Sequence, residues 1–240
     1  MSTTFTEILA RRLRSDPAQP LVTFYDHTSD ERVELSVATY ANWVAKAASL
    51  LVDELDLERG DRIRIDLPPH WLSTVFLGAA WTAGLVVTDE DDPDAVVCGP
   101  AGLATWAPQA AERVVLACAL LPLGVRFPEQ VPAGVHDVGV EIWSQPDAFT
   151  PWDPPEPDDA ALARAGIRLT QADLGTGPAA AEPVVPVGGR LLTTANPATE
   201  PAVFTDPLRQ EGSVVLVAQA DRDRLEATYA AERATVRFPA

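Results

Sequence analysis

SVATYANWVAKAASLLVDELDLERGDRIRIDLPPHWLSTVFLGAAWTAGLVVT, residues 36–88, reads as helix, strand, helix, strand without a break. Ser36 is placed to cap a helix whose apolar positions Val37, Tyr40, Val44, Ala47, Leu51 and Leu55 recur every three or four residues and so form one buried stripe. Gly60 and Asp61 turn the chain. Ile63, Ile65 and Leu67 then alternate with Arg62, Arg64 and Asp66, the period of two of a strand with one face covered, and Pro68-Pro69 ends it. From Trp71 to Ala83 the sequence is apolar nearly all round and carries small residues at Gly78 and Ala79, which predicts a helix buried between layers. Gly84 suits the left-handed residue that closes such a helix, and Leu85 to Val87 starts the next strand.

Upstream, Thr4 and Glu7 form a T-x-x-E capping box ahead of a helix with Phe5, Ile8, Leu9 and Leu13 on one face, and Asp16-Pro17 stops it. Leu21 to Tyr25 and Arg32 to Leu35 predict a hairpin around a polar turn. Downstream of the central unit comes an acidic run, Asp89 to Asp94, then a strand at Ala95 to Cys98, a turn at Gly99 to Gly102 leading into a short helix, and a strand at Val114 to Ala117. Strands alternating with helices at this spacing predict an α/β fold with a mainly parallel sheet flanked by helices; Ile63, Ile65, Val75, Phe76, Leu85 and Val87 belong to its core. Beyond Leu121 the patterning fades. Five prolines between Pro146 and Pro157 predict an extended connector, so the organisation reads as an α/β lobe over 1–145, a proline-rich connector over 146–157 and a smaller second lobe over 158–240. In that lobe we expect a helix near Asp158 to Ala165, strands at Arg190 to Thr193 and Ser213 to Ala218, and a helix from Asp221 to about Arg233. Val214 to Val217 has no polar alternation, so something must cover both its faces: either the proline-rich segments or a second copy in a homodimer.

Composition narrows the function. Asp and Glu outnumber Lys and Arg by 35 to 18, a net charge of −17, which opposes binding to nucleic acid or to an anionic membrane surface. No apolar run reaches the ~18 residues of a membrane span and no secretory leader is visible, so a cytoplasmic protein is expected. Cys98 and Cys118 read as small core side chains rather than a disulfide framework. Lys46 is the one lysine among the basic residues, so any lysine chemistry falls to it; its helix position suggests a solvated face.

The remaining motifs are weak. Asp89 to Asp94 offers oxygens for Mg²⁺ or Ca²⁺ but lacks EF-hand spacing and reads as a solvated loop. His27, His70 and His136 are far apart and form no metal motif. Gly175-Thr176-Gly177-Pro178-Ala179-Ala180 satisfies G-x-G-x-x-A, yet Pro178 spoils the strand-turn-helix context that motif requires. Trp71, Trp81, Trp106, Trp143 and Trp152 are expected in core and boundary packing, and no G-x-S-x-G elbow occurs.

The first 90 residues resemble the opening of the acyl-adenylate-forming (AMP-binding) superfamily, which includes acyl-CoA synthetases and adenylation domains. The resemblance rests on Asp16-Pro17-Ala18-Gln19-Pro20-Leu21, Ala38-Thr39-Tyr40, Arg59-Gly60-Asp61-Arg62-Ile63-Arg64-Ile65-Asp66-Leu67-Pro68 and Phe76-Leu77-Gly78-Ala79-Ala80-Trp81-Thr82-Ala83-Gly84. Fainter echoes are Leu169-Thr170-Gln171-Ala172-Asp173-Leu174, Gly189 to Thr194 and Leu208 to Val217. The resemblance implies a phosphate loop of the type T-S-G-T-T-G-x-P-K-G just before Leu169, wrapping ATP phosphates with backbone N–H groups and a lysine. The chain instead has Asp158 to Ile167, with Ala165 in the lysine's place and only Gly166 in common. The expectation is therefore a degenerate, non-catalytic relative that binds a ligand or a protein, with no catalytic, cofactor-binding or metal residue to name and no cofactor; the alternative is half of a split acyl-CoA synthetase or another acyl-transfer enzyme.

Overall fold

The computed structural model describes residues 3–177 and 182–239. Helix α1 (Phe5–Ser15) starts at the Thr4–Glu7 capping box, and the hairpin follows as β1 (Pro20–Asp26) and β2 (Glu31–Ser36). Ser36 caps α2 (Val37–Ser49), which continues as a wider turn over Leu50–Glu54. Next come β3 (Arg62–Asp66), α3 (Trp71–Ala83), β4 (Val86–Thr88), β5 (Ala95–Cys98), α4 (Leu103–Trp106), β6 (Val114–Ala117), β7 (Val135–Asp137) and α5 (Val138–Glu141). After the connector the chain forms β8 (Ala160–Arg164), β9 (Ile167–Thr170), α6 (Gln171–Thr176), β10 (Arg190–Thr193), α7 (Ala202–Arg209), β11 (Ser213–Ala218), α8 (Arg222–Ala231) and β12 (Val236–Phe238).

Two sheets result. One has seven strands in the order β7-β6-β5-β3-β4-β8-β9, parallel throughout except for the β8–β9 hairpin. The other has five, β12-β10-β11-β1-β2, parallel except for the β1–β2 hairpin. All of α3 is buried, touching α1 and α2, strands β3 and β4 of the larger sheet and β1 of the smaller. Its small residues permit this: a Cβ on Gly78 would stand 2.3 Å from the Tyr40 hydroxyl and 2.8 Å from Val44. Gly84 closes the helix at φ +79, and Ile63, Ile65, Val75, Phe76, Leu85 and Val87 are buried as the patterning predicts.

The strands after the connector enter both sheets, β8 and β9 at the edge of the larger and β10 to β12 in the smaller, so the boundary at 146–157 does not coincide with a division between the sheets. Two expectations are corrected. The alanine-rich Asp158 to Ala165 is not a helix: Leu162 and Ala163 pair with Val87 and Thr88 of β4, and this non-local ladder overrides alanine's helical preference. The apolar strand Val214 to Val217 needs neither a proline-rich lid nor a second copy. Residues of the main core, with α7 beside the strand, cover Val214 and Leu216, while Leu225 and Tyr229 of α8 cover Val215 and Val217.

Candidate functional site

From β3 at the centre of the larger sheet the chain steps to β4 on one side and then to β5 on the other, so connections diverge at the carboxyl ends of β3 and β5. Open α/β sheets bind ligands at such a switch point. A crevice of about 470 Å³ lies there, between Asp66, Leu67 and Pro68 on one wall and Gly99, Pro100 and Thr105 on the other. The walls approach closely because Gly102 has no side chain; a Cβ would stand 2.9 Å from that of Cys98 and 3.2 Å from Oδ2 of Asp66. Asp66 Oδ2 accepts a hydrogen bond from Trp106 Nε1 at 2.7 Å, and the Arg64 guanidinium lies 5.3 Å from the centre of the Trp106 ring.

Asp66 and Leu67 also border a narrow polar notch of about 100 Å³ on the β4 side, shared with Arg64, Asp89, Arg164 and Asn196. Its side chains are tied down: Arg164 donates to Asp89 Oδ2 (3.2 Å) and to the Ala198 carbonyl (2.8 Å), and Asn196 donates to the Leu67 carbonyl (2.7 Å). Behind the crevice, burial, with the Asp66 charge adding to it, pushes the Cys98 thiol up to about 11. It is protonated at neutral pH and is no nucleophile. The crevice therefore offers apolar walls and a few fixed donors and acceptors, the equipment for holding a molecule. The sequence did not single out Arg64, Asp66, Trp106, Arg164 or Asn196 as a group; the only local signal is Asp66 standing where Pro68-Pro69 ends a parallel strand.

The place where the resemblance puts the phosphate loop is a tight hairpin. Arg164 pairs with Ile167, leaving a two-residue turn, Ala165 at φ +43 and Gly166 at φ +80. Two successive positive φ values are the signature of a type I′ turn, whose twist matches the flanking strands. Both residues are exposed and a Cβ on Gly166 would meet nothing within 4 Å. Two residues form no loop that could encircle a phosphate.

The other sequence candidates are placed as follows. The acidic run is engaged by four arginines from three separate places: Asp89 with Arg164, Glu90 and Asp94 with Arg62, Asp91 with Arg64, and Asp92 with Arg113. Among the described residues no cluster of three or more His, Cys, Asp or Glu is arranged to hold a metal ion. Lys46 is not on a solvated face: half-buried, it donates to the Gln145 carbonyl and pairs with Asp147 at 3.1 Å, which pins the start of the connector. His70 caps α3 by accepting the Leu72 N–H at its Nδ1 (3.1 Å), His27 accepts the Asp221 N–H (3.1 Å), and His136 pairs with Glu141. Cys98 and Cys118 are free and buried. Trp71, Trp81 and Trp106 are core residues as expected, but Trp143 and Trp152 are 53% and 95% exposed, because the segments carrying them run over the surface. Pro178 to Ala180 of the G-x-G-x-x-A stretch lie outside the described residues. No described helix is long and apolar enough to cross a membrane.

No protein-family model matches the chain. A "TIGR03089 family protein" of Mycobacterium tuberculosis is 33% identical over 239 residues, 95% of each chain. Among solved structures, an acyl-CoA synthetase of Brucella canis superposes on 98% of this chain with a TM-score of 0.78 at 14% identity, over 46% of its own length. The inhibitor-bound N-terminal domain of FACL13 from Mycobacterium tuberculosis gives 0.73 at 13% identity, matched over 98% of this chain and 62% of that one. The anthranilate CoA ligase AuaEII, in complex with anthranoyl-AMP, gives 0.75 at 11% identity, over 98% of this chain and 49% of its own. The chain thus spans about half the length of the solved synthetases it matches, and at these identities the likeness is one of fold.

Proposed function

The chain belongs to the TIGR03089 family, and from that premise, together with a fold shared with the N-terminal part of acyl-CoA synthetases, we propose that it is a non-catalytic relative of the adenylate-forming enzymes that binds a small molecule at the switch-point crevice. The observation that carries this reading is the two-residue Ala165-Gly166 turn in the place of a phosphate loop. Without that loop, MgATP has neither a ring of backbone donors nor a lysine to offset its charge, since Lys46 is committed to the connector. The crevice itself remains, with Leu67, Pro68 and Leu120 able to cover an apolar body and Asp66 and Thr105 at hand for a hydrogen-bonding end. Calorimetric titration with MgATP, run beside a pyrophosphate-release assay over a panel of carboxylic acids, tests the proposal. We expect no saturable heat at millimolar nucleotide and no pyrophosphate above the protein-free rate. Micromolar MgATP binding followed by pyrophosphate release would overturn it in favour of an adenylating enzyme.

A further inference from the structure

The opposite end of the strands of the larger sheet carries a second cleft. Residues 56–59 lead into β3 and Ala83 ends α3 ahead of β4, so this cleft lies at the amino ends of the parallel strands, away from the crevice. Its volume is about 420 Å³, within the range of small-molecule sites. Val52, Leu57 and Ala83 form an apolar floor, and Pro151 and Trp152 of the connector stand as the facing wall.

That wall is held in place. Arg59 pairs with Asp153 (2.9 Å) and Asp159 (2.8 Å) and donates to the Pro154 carbonyl (3.3 Å), while Lys46 fixes the connector upstream at Asp147. Between these two pins the Trp152 indole is 95% exposed. A large aromatic surface, carried on a tethered backbone and exposed beside an apolar floor, is suited to packing against a ligand. The charge around it is mostly negative. Asp56, Glu58 and Asp153 line the cleft, Arg59 is the one cation lining it among the described residues, and that charge is already answered by Asp153 and Asp159. Asp56 and Glu58 are exposed and make no ion pair among the described residues.

We propose that this cleft binds a small organic cation, an amine or quaternary ammonium on an apolar body, with the body on Val52, Leu57 and Ala83 and the charged centre between the Trp152 ring and the carboxylates of Asp56 and Glu58. An indole face attracts such a cation and the carboxylates complement its charge, whereas an anion is repelled by both.

The test is calorimetric titration of the full chain with benzyltrimethylammonium, and with benzenesulfonate as a ligand of similar shape and opposite charge. We expect saturable binding of the cation, none of the anion, weakening in added salt, and a loss of about fivefold or more in affinity for Trp152→Ala, the size of a partly desolvated cation–π contact. Asp56→Asn combined with Glu58→Gln should weaken binding several-fold while leaving the fold intact, because both side chains are exposed. Absence of saturable binding up to about 10 mM, equal binding of benzenesulfonate, or an affinity unchanged in Trp152→Ala would each overturn the proposal. Because the cleft and the crevice are at opposite strand ends, a failure here leaves the MgATP result untouched.

Discussion

Helices α3 and α8 cover strands of the same molecule by opposite means. α3 buries all 13 of its residues, and its mainly apolar surface decides where it lies. α8 buries only Thr228 and half-buries Leu225 and Tyr229 over Val215 and Val217. Its position is set by polar contacts with distant residues: His27 Nε2 with Thr228 (3.1 Å), Arg224 with Asp30 (2.6 Å), Arg237 with Glu226 (2.6 Å), and Glu232, just past its end, with Arg32 and Arg190. The Arg224–Asp30 and Arg237–Glu226 pairs are largely exposed and contribute little each, so α3 carries more of the stability while α8 is aligned by polar contacts.

That contrast breaks most readily at Trp81, which packs edge-on against Phe5 (5.3 Å) and donates to the Ala161 carbonyl (3.0 Å). Trp81→Ala should cost about 3–5 kcal/mol in urea unfolding. A loss below about 1 kcal/mol would mean that α3 is not the supporting element.

A pH series sharpens it next. Burial holds His70, the α3 cap, down at about 3 against an ordinary 6.5, with Asp26 opposing, and burial also lowers His27 beneath α8. At pH values above 6.5 both rings are neutral in the folded and unfolded chain alike, so neither costs stability there. As pH falls from 6.5 towards 3 the unfolded chain takes up protons that the fold refuses, and stability declines. His70→Asn keeps a capping side chain but removes the titration, so its unfolding free energy should fall less steeply over this window than the wild type's, by at most ~1.4 kcal/mol per pH unit. Parallel curves for the two proteins would refute the assignment.

At Gly84 the expected effect is smaller. With φ at +79 and Arg59 Cγ 3.1 Å from where a Cβ would stand, Gly84→Val should cost on the order of 1–2 kcal/mol or more in thermal unfolding. An unchanged melting temperature would show the left-handed cap to be unnecessary. Smallest of all, Asp30→Asn removes the Arg224 pair at a position, φ +61, that asparagine tolerates well. Its effect should stay under about 1 kcal/mol and shrink further in salt. A larger loss would make α8 a supporting element after all.

The same contrast explains what the sequence made legible. The caps at Thr4, Ser36 and Gly84 and the stripes of α2 and α3 are local, and each is where the patterning places it. β8 was misread because Ala160-Ala161-Leu162-Ala163 has no β-branched residue and becomes a strand only by pairing with β4, more than 70 positions earlier. α7 escaped notice because Pro207 lies inside it. The crevice was invisible for a related reason. Asp66, Thr105 and Leu120 are strangers along the chain until strand order makes β3, β5 and β6 neighbours. The acidic run looked unattached because its arginines, at 62, 64, 113 and 164, come from elsewhere. The departure of Asp158 to Ile167 from the pattern that the resemblance implies, in contrast, could be read directly, and that stretch folds as β8 and a two-residue hairpin turn.

Lys46 gives the molecule one further property. An amine-directed reagent meets a single lysine side chain in this protein, and that ammonium is held by Asp147 and the Gln145 carbonyl. Labelling of that amine in the intact fold has to wait for the contact to open, so its rate measures how often the start of the connector lifts from α2. The scarcity of lysine thus turns one residue into a built-in clock for the surface segment that lies beneath none of the sheets.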